Sequence, residues 1–250
     1  MLKRLIALLL VVFWCNDLVA QDAQPVSRIR YITVKEGMAE EFIKAAGEKT
    51  MKFNTKKGSR RFNTWEIMDG PRQGQFVRGQ AGTTWSDFDA PPPQKQRDYW
   101  MKNVNTYVKK QGNMQTWAYL PDISYNGRGE TEYGDFARMR FYNINPGMNA
   151  RMIENARKIK KVNETKKTKV RYGWYRLESG GDRSTWLFAS SVYKWADLED
   201  ATFYSMYEEV HGKGSWAEWV NEFSEIVQSS PKARRAEFWR YVREASSPPR

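Results

Sequence analysis

The sequence contains little of the chemistry that metal sites and many catalytic sites use. Of its 250 residues, only one is a cysteine and only one is a histidine. Zinc clusters built from these residues and scaffolds held by several disulfides are therefore excluded. The motifs of phosphate-binding loops, serine hydrolase elbows, zinc proteases and EF-hand loops are also missing. We expect no metal site and no cofactor.

Acidic charge is also scarce relative to basic charge. Lysine and arginine number 41 and aspartate and glutamate 29, which gives a formal net charge of +12 at pH 7. Hydrophobic residues make up 40% of the chain and aromatic residues 14%. This composition is typical of a globular domain rather than of a disordered or multispanning protein.

Only one long apolar run is present, and it lies at the N-terminus. Lys3 and Arg4 precede an apolar run from Leu5 to Trp14, and Ala20 is a small residue suited to cleavage. The run is shorter than the ~20 residues that a membrane-spanning helix needs. We therefore expect a signal peptide over residues 1–20 and an exported protein, either periplasmic or secreted.

An internal repeat is the strongest signal in the remaining chain. Residues 30–89 align without a gap on residues 140–199, with twelve identical pairs at a constant offset of 110. Conserved-type substitutions such as Trp65/Tyr175 and Phe76/Trp186 accompany the identities. A fixed period of this kind predicts two copies of one unit. We place the copies at 26–121 and 135–245, with a linker at 122–134 that is rich in Gly, Asp and Asn.

Each copy predicts the element order β-α-β-β-α-β. In copy one, strands are expected at 29–34, 62–68, 75–84 and 114–120, with helices at 38–51 and 96–110. Copy two repeats this order with one longer second helical region from Leu198 to Val227. This is the ferredoxin-like arrangement, whose sheet needs a cover on the face without helices. The predicted fold class is α+β, with two tandem ferredoxin-like units packed sheet to sheet as a pseudo-dimeric α/β barrel.

Two short motifs extend this interpretation to a known superfamily. The first is Val34-Lys35-Glu36-Gly37-Met38 followed by Glu40-Glu41-Phe42, and the second is Trp85-Ser86-Asp87-Phe88 with its counterpart Trp195-Ala196-Asp197-Leu198. In these motifs the chain resembles the dimeric α/β-barrel superfamily, which includes antibiotic-biosynthesis-monooxygenase-like, Dabb-like and NIPSNAP-like proteins. The resemblance implies a barrel made from two paired sheets and, in some members, cofactor-independent monooxygenase activity.

Aromatic residues on the predicted strands are the first candidates for a ligand site. Large rings that face a barrel interior would form an aromatic cavity, although packing in the core explains them equally well. The candidate lining residues are Trp65, Trp174, Tyr175 and Trp186.

His211 is the only candidate for a catalytic base, because it is the only imidazole. The resemblance implies that a histidine in the second helix can bind haem or activate a substrate. Copy one has no histidine, however, and the Asn-Trp-His set of haem-degrading relatives has no match in this sequence. We do not expect haem, and a surface position at a helix end is the alternative for His211.

Basic residues cluster at matching places in the two copies, where the first helix leads into the second strand. The residues involved are Lys56, Lys57 and Arg61 in copy one and Lys166, Lys167 and Arg171 in copy two. They fit either a solvated helix end or an anionic partner. Nucleic acid is not expected, because no RNP1-like run is present. An acidic glycan, lipid headgroups or an anionic metabolite would suit an exported protein better.

Two functions remain open from the sequence. The first is binding of a small aromatic or anionic molecule by an exported tandem barrel, with or without cofactor-independent monooxygenase-like activity. The second is a non-enzymatic envelope module that binds acidic glycans or lipid headgroups through its basic clusters. The sequence leaves open the ligand and any oligomer beyond the internal pseudo-dimer.

Overall fold

The computed structural model describes residues 24–129, 133–199 and 202–248. The predicted signal peptide lies outside the described residues and stays a prediction, as do the proposed domain boundaries. Within the described ranges, no helix combines the length and the apolar character needed to cross a bilayer.

The first half of the chain alternates strands with helices. Gly37, with a φ of 72°, turns the chain into the first helix, and Glu40 and Glu41 in its first turn complement the helix dipole. The elements are β1 (Val26–Val34), α1 (Ala39–Phe53), β2 (Asn63–Ile67), β3 (Phe76–Thr83), α2 (Gln94–Tyr99) and β4 (Val108–Tyr119).

The second half repeats this order after a short strand, β5 (Tyr125–Asn126). Gly147, with a φ of 80°, occupies the same turn as Gly37. The elements are β6 (Phe136–Asn143), α3 (Asn149–Thr165), β7 (Arg171–Ser179), β8 (Thr185–Val192), α4 (Phe203–His211), α5 (Ser215–Ile226) and β9 (Arg234–Tyr241).

Eight strands close into one antiparallel barrel. Hydrogen-bonded neighbours follow the order β4-β1-β3-β2-β9-β6-β8-β7, and β7 pairs again with β4. Within each half the strands therefore stand in the same order, namely fourth, first, third, second. The α+β barrel confirms the predicted fold class at this level. The two sheets do not simply stack, because they also join edge to edge.

The halves join along two seams. At one seam β2 pairs with β9, with Trp65 opposite Tyr241 and Ile67 opposite Trp239. At the other seam β4 pairs with β7, with Tyr119 opposite Tyr175. Each seam thus combines the second strand of one half with the fourth strand of the other half. Since closure removes the free edges of both sheets, neither half presents its seam edge to solvent.

A short crossover segment extends each seam. Residues 120–124, which follow β4, leave the first half and pair with β7 of the second half. The backbone N–H of Leu120 donates to the carbonyl of Trp174 at 2.9 Å. The Ser124 hydroxyl then accepts from the backbone N–H of Trp174 at 2.9 Å and donates to the carbonyl of Leu120 at 2.7 Å.

Residues 242–246, which follow β9, make the equivalent crossover onto the first half. The backbone N–H of Val242 donates to the carbonyl of Thr64 at 3.0 Å. The Ser246 hydroxyl accepts from the backbone N–H of Thr64 at 2.9 Å and donates to the carbonyl of Val242 at 2.7 Å. The two halves therefore exchange equivalent segments through the same set of hydrogen bonds.

Three hydrophobic clusters stabilise the barrel and its helices. One lies inside the barrel and includes Trp117, Met139 and Trp239. The second packs α3 and α5 against the outer face of the second half, and the third packs α1 and the turn after α2 against the first half. Both faces of every long strand are consequently covered, at least in part.

The second helical region differs from the prediction in both halves. In the second half it is two helices instead of one, because Gly212 and Gly214, with φ values of 99° and 87°, break it between α4 and α5. In the first half α2 ends at Tyr99 and continues as a π-helical turn over Trp100–Val104. Strand β4 therefore begins six residues earlier than the predicted 114.

Two buried cations lie between α1 and the sheet of the first half. The ammonium of Lys49, which is 3% exposed, donates to Asn54 Oδ1 at 2.7 Å and lies 4.3 Å from the ring centroid of Phe62. Arg78 donates to the carbonyl of Ala245 at 2.5 Å and thereby holds the second crossover segment. Burial, reinforced by the charge of Arg78, lowers the pKa of Lys49 to about 7.

This lowered pKa predicts a pH-dependent stability. Since the ordinary value is 10.5, the unfolded chain binds a proton that the folded chain has lost between about pH 7 and 10.5. Unfolding free energy should rise with pH in that window, by up to about 1.4 kcal/mol per pH unit, and level off below it. Lys49→Met should abolish the rise between about pH 7 and 9, below the range where burial of Arg78, which lowers its pKa to about 9, adds a rise of its own. The variant should also be more stable than the wild type at neutral pH, as measured by urea unfolding. Lys44→Met, at an exposed position of the same helix, is the control; an unchanged pH dependence in Lys49→Met would refute the assignment.

The crossover segments yield a second prediction. Ser124→Ala and Ser246→Ala each leave one backbone N–H without its acceptor, on Trp174 and Thr64 respectively. Each should lower the free energy of unfolding by about 1–3 kcal/mol. Chemical denaturation should show similar losses for both variants, whereas the exposed Ser229→Ala should change little. A loss confined to one of the two would contradict their equivalence.

Candidate functional site

A cavity of about 370 Å³ opens at one end of the barrel. We call this end the mouth; it is where β1, β2, β6 and β7 begin and where their antiparallel neighbours end. The residues around the cavity come from both halves. The cavity therefore exists only in the closed barrel.

Two opposite walls of the cavity are made of small side chains. Near the mouth, the positions that face inward on β1 and β3, and the corresponding positions on β6 and β8, have small side chains, and these strand pairs stand across the barrel from each other. The residues are Ser27, Gly79 and Ala81 on one wall and Ala137, Ala189 and Ser191 on the other. We call the space between them the slot.

The two seams form the other walls, and these are aromatic. Trp65 and Tyr241 lie at one seam with ring centroids 4.7 Å apart, and Tyr119 and Tyr175 lie at the other, 5.3 Å apart. Tyr133 packs against the first pair, 5.4 Å from Trp65 and 5.5 Å from Tyr241. Aromatic rings thus form the two walls of the slot that lie at the seams.

The floor of the slot is apolar, and a buried ion pair closes the barrel beneath it. Val77, Leu187, Met139, Trp117 and Trp239 lie at the inner end of the cavity.

Beneath this floor, Glu237 has no exposed surface and accepts two hydrogen bonds from Arg72, at 2.9 and 2.7 Å. Arg235 and the indole N–H of Trp239 reach the same carboxylate, at 3.2 and 2.9 Å. These contacts satisfy the charge of Glu237, which would otherwise be costly to bury. Because the ion pair fills the barrel beneath the floor, the slot opens at the mouth.

Polar groups of the slot concentrate at the mouth. The amide of Asn63 donates to the hydroxyl of Tyr133 and accepts from the hydroxyl of Tyr241, both at 3.4 Å. The guanidinium carbon of Arg171 lies 4.9 Å from the ring centroid of Tyr133. Burial raises the pKa of Tyr133, an effect that the charges of Arg171 and Arg61 only partly offset. The phenol therefore stays protonated at neutral pH and can donate a hydrogen bond.

The structure places the four aromatic residues proposed from the sequence on two different faces of the sheet. Trp65 and Tyr175 line the slot. Trp174 and Trp186 point to the opposite face of the sheet, where they are buried under α3 and α5. Successive residues of a strand face opposite sides, so Tyr175 and Trp174 cannot share one cavity. Of the four, the ligand-binding proposal is kept for Trp65 and Tyr175.

His211 lies outside the barrel, at the end of α4. Its Nε2 is 3.1 Å from the carbonyl of Lys158, and its ring packs 4.5 Å from that of Tyr207. It does not line the slot, and it faces an open, charged groove on α3. A haem does not fit between the sheet and the helices of this half, because aromatic side chains fill that space; they are Tyr142, Trp174, Trp186, Phe188 and Phe223.

The basic clusters lie at the mouth of the barrel, because each precedes a strand that begins there. Lys56, Lys57, Lys166 and Lys167 are exposed, and Lys166 pairs with Glu209. Arg61 and Arg171 are half-buried. Within the described ranges, no group of His, Cys, Asp and Glu side chains could hold a metal ion.

The sequence analysis missed two residues that line the slot, Tyr119 and Tyr133, and Tyr241, which packs against Trp65 and Tyr133. Tyr133 was assigned to the linker, and Tyr119 and Tyr241 were not recognised as equivalents. A signal was present, because Trp117-Ala118-Tyr119 and Trp239-Arg240-Tyr241 match at an offset of 122 instead of 110. The extra residues of the α4–α5 region shift the register of the repeat and hide this match.

Together, the closed barrel and its outer helices define an α+β barrel fold. No protein-family model and no curated sequence matches the chain. Solved structures do match in fold. A candidate monooxygenase from Lactobacillus acidophilus aligns with a TM-score of 0.59 at 11% identity, covering 88% of this chain and 94% of that one.

Two further structures align over the same extent. An anthrone oxidase-like protein gives a TM-score of 0.51 at 10% identity, covering 88% of this chain and 92% of that one. Chlorite dismutase from Candidatus Nitrospira defluvii gives a TM-score of 0.53 at 9% identity, with coverages of 90% and 95%. At these identities the likeness concerns the fold, and it extends over most of the chain.

Proposed function

We propose that this protein binds a small, planar aromatic molecule in the slot at the mouth of the barrel. The observation that carries the proposal is that two walls of small side chains and two walls of aromatic side chains surround one opening. Cavities of about 300–1,000 Å³ with apolar linings and a few polar groups are typical of ligand sites. The monooxygenase-like neighbours support small-molecule binding by this fold.

A flat ring system is the shape that suits the slot. The walls of Ser27, Gly79, Ala137 and Ala189 allow close approach to both faces of a ring. Rings prefer edge-to-face and offset contacts with other rings at centroid distances of about 4.5–7 Å. The aromatic pairs at the two seams offer such contacts to the edges of a bound ring.

Binding is better supported by this geometry than catalysis. Among the described residues that line the slot, none is a His, Asp, Glu or Lys, so the slot supplies hydrogen-bond donors and one guanidinium but no evident base. If oxygenation takes place, the slot would orient the ligand and shield it from water, and the ligand itself would supply the reactivity.

We also propose that the two halves are tandem ferredoxin-like repeats. The matching strand orders, the paired turns at Gly37 and Gly147 and the equivalent crossover hydrogen bonds support this origin. Export remains part of the proposal on the basis of the N-terminal sequence alone. Binding of acidic glycans or lipid headgroups is the second candidate function, supported by the exposure of the four lysines.

Binding can be measured with the neutral fluorescent probe N-phenyl-1-naphthylamine. The wild-type protein should bind it saturably, with one site per chain. Ala189→Leu places extra bulk in the slot and should weaken binding by about tenfold or more, as expected when about 1.4 kcal/mol or more of favourable contact is lost. Ser191→Leu, nearer the mouth, should act in the same direction.

Two matched controls accompany this experiment. Ala217→Leu makes the same change on the exposed face of α5 and should not alter probe binding. His211→Ala should also leave it unchanged, because His211 lies outside the barrel. Thermal unfolding verifies that each variant is folded. The proposal fails if aromatic probes do not bind saturably, or if folded Ala189→Leu and Ser191→Leu proteins bind as the wild type does.

A further inference from the structure

The slot has a strong polarity along its length, which bears on the kind of ligand it takes. Its inner end is formed by Val77, Leu187 and Met139 together with two tryptophans. Its outer end carries Asn63, Tyr133 and Arg171. An anionic group placed at the inner end would lose its hydration without gaining a partner, which is costly. Such a group can be accommodated only at the mouth.

The charge around the mouth has one sign in the two segments that lead to it. We call residues 55–61 and 165–171 the basic entrance segments; each contains four Lys or Arg and no Asp or Glu. They run into β2 and β7, which stand on opposite sides of the barrel. Two like-charged segments that flank one opening raise the local concentration of anions there.

Two arginines at equivalent positions of the halves act on the Tyr133 phenol at the mouth. The guanidinium carbon of Arg171 lies 4.9 Å from the ring centroid of Tyr133, and the charges of Arg171 and Arg61 both lower the pKa of this phenol. Tyr133 and Asn63 add neutral donors to the same place, and no Asp or Glu is found among the described residues that line the slot. Guanidinium and phenol donors together are a suitable set for an oxyanion, because charge-assisted hydrogen bonds are stronger than neutral ones.

We propose that the ligand of the slot is an aromatic oxyanion, bound with its ring system inward and its anionic group at the mouth against Arg171 and Tyr133. The inference rests on the proposed binding function and specifies the ligand class. The basic entrance segments attract the ligand, and Arg171 selects it once it is bound. The polar end of the slot and the basic clusters thereby serve one site.

Two probes that differ by one anionic group test this inference. They are 1-anilinonaphthalene-8-sulfonate and the neutral N-phenyl-1-naphthylamine, which lacks the sulfonate. At low salt the wild type should bind the sulfonate about tenfold more tightly than the neutral probe. Raising the salt concentration should weaken binding of the sulfonate and leave the neutral probe almost unaffected.

Variants locate the source of the preference. Arg171→Gln should weaken sulfonate binding by about tenfold and binding of the neutral probe by a clearly smaller factor, so that the ratio of the two affinities falls. Arg171→Lys should retain part of the preference. The double variant Lys166→Gln/Lys167→Gln should slow association of the sulfonate several-fold. Its matched control, Lys109→Gln/Lys110→Gln, removes two exposed lysines at the closed end of the barrel and should have no effect.

The outcomes separate this inference from the function on which it rests. Equal saturable binding of the two probes would overturn the oxyanion inference and leave the aromatic site in place. A loss of both probes to the same extent in folded Arg171→Gln protein would also overturn it. If neither probe binds to the wild type, both proposals fail.

Discussion

Closure of the barrel at its two seams is the constraint on which the rest of the structure depends. Each seam has a short ladder, with three registered residue pairs between β2 and β9 and four between β4 and β7. Ladders of this length are marginal by themselves. The crossover segments extend both, and the Trp65/Tyr241 and Tyr119/Tyr175 contacts place large aromatic surfaces directly on the seams. The elements that hold the halves together are therefore also walls of the slot.

The two halves share a topology but differ in what lies between sheet and helices. In the second half this space is filled by the rings of Trp174, Trp186 and Phe188. In the first half the positions of Trp174 and Phe188 are taken by Thr64 and Arg78, and Lys49 lies close by. Arg78 bonds to the second crossover segment and lies 5.1 and 5.7 Å from the ring centroids of Phe62 and Trp100. The space in the second half is thus filled by apolar rings, whereas in the first half a polar network lies beside the apolar cluster and bonds to the second crossover segment.

The sequence predicted the architecture better than the site. The offset of 110 and the alternation of strands and helices led directly to the barrel, because both reflect backbone geometry that the two halves share. The faces of the strands were harder to assign. On β7, Trp174 and Tyr175 are adjacent and both aromatic, and since both sides of the strand are covered, no alternation of polar and apolar residues marks the inner one.

Tyr133 shows a second reason for the missed residues. It lies in a segment that separates the repeats and has no counterpart in the other copy, so neither periodicity nor repetition could point to it. The break between α4 and α5 was missed although Gly212 and Gly214 were visible, because the apolar pattern continues on both sides of them. The positive φ angles of these two glycines determine where the helical region breaks, and the apolar periodicity does not reveal them.

The second crossover segment has a consequence for how the molecule is made. Thr64 receives its partner Ser246 from 182 positions further along the chain, so during synthesis the edge of the first sheet stays without this partner until residue 246 has left the ribosome. A nascent chain that ends before β9 lacks the β2–β9 seam and the wall that this seam gives the slot. Fragments that stop short of β9 and the second crossover segment should therefore expose an adhesive strand edge to other chains.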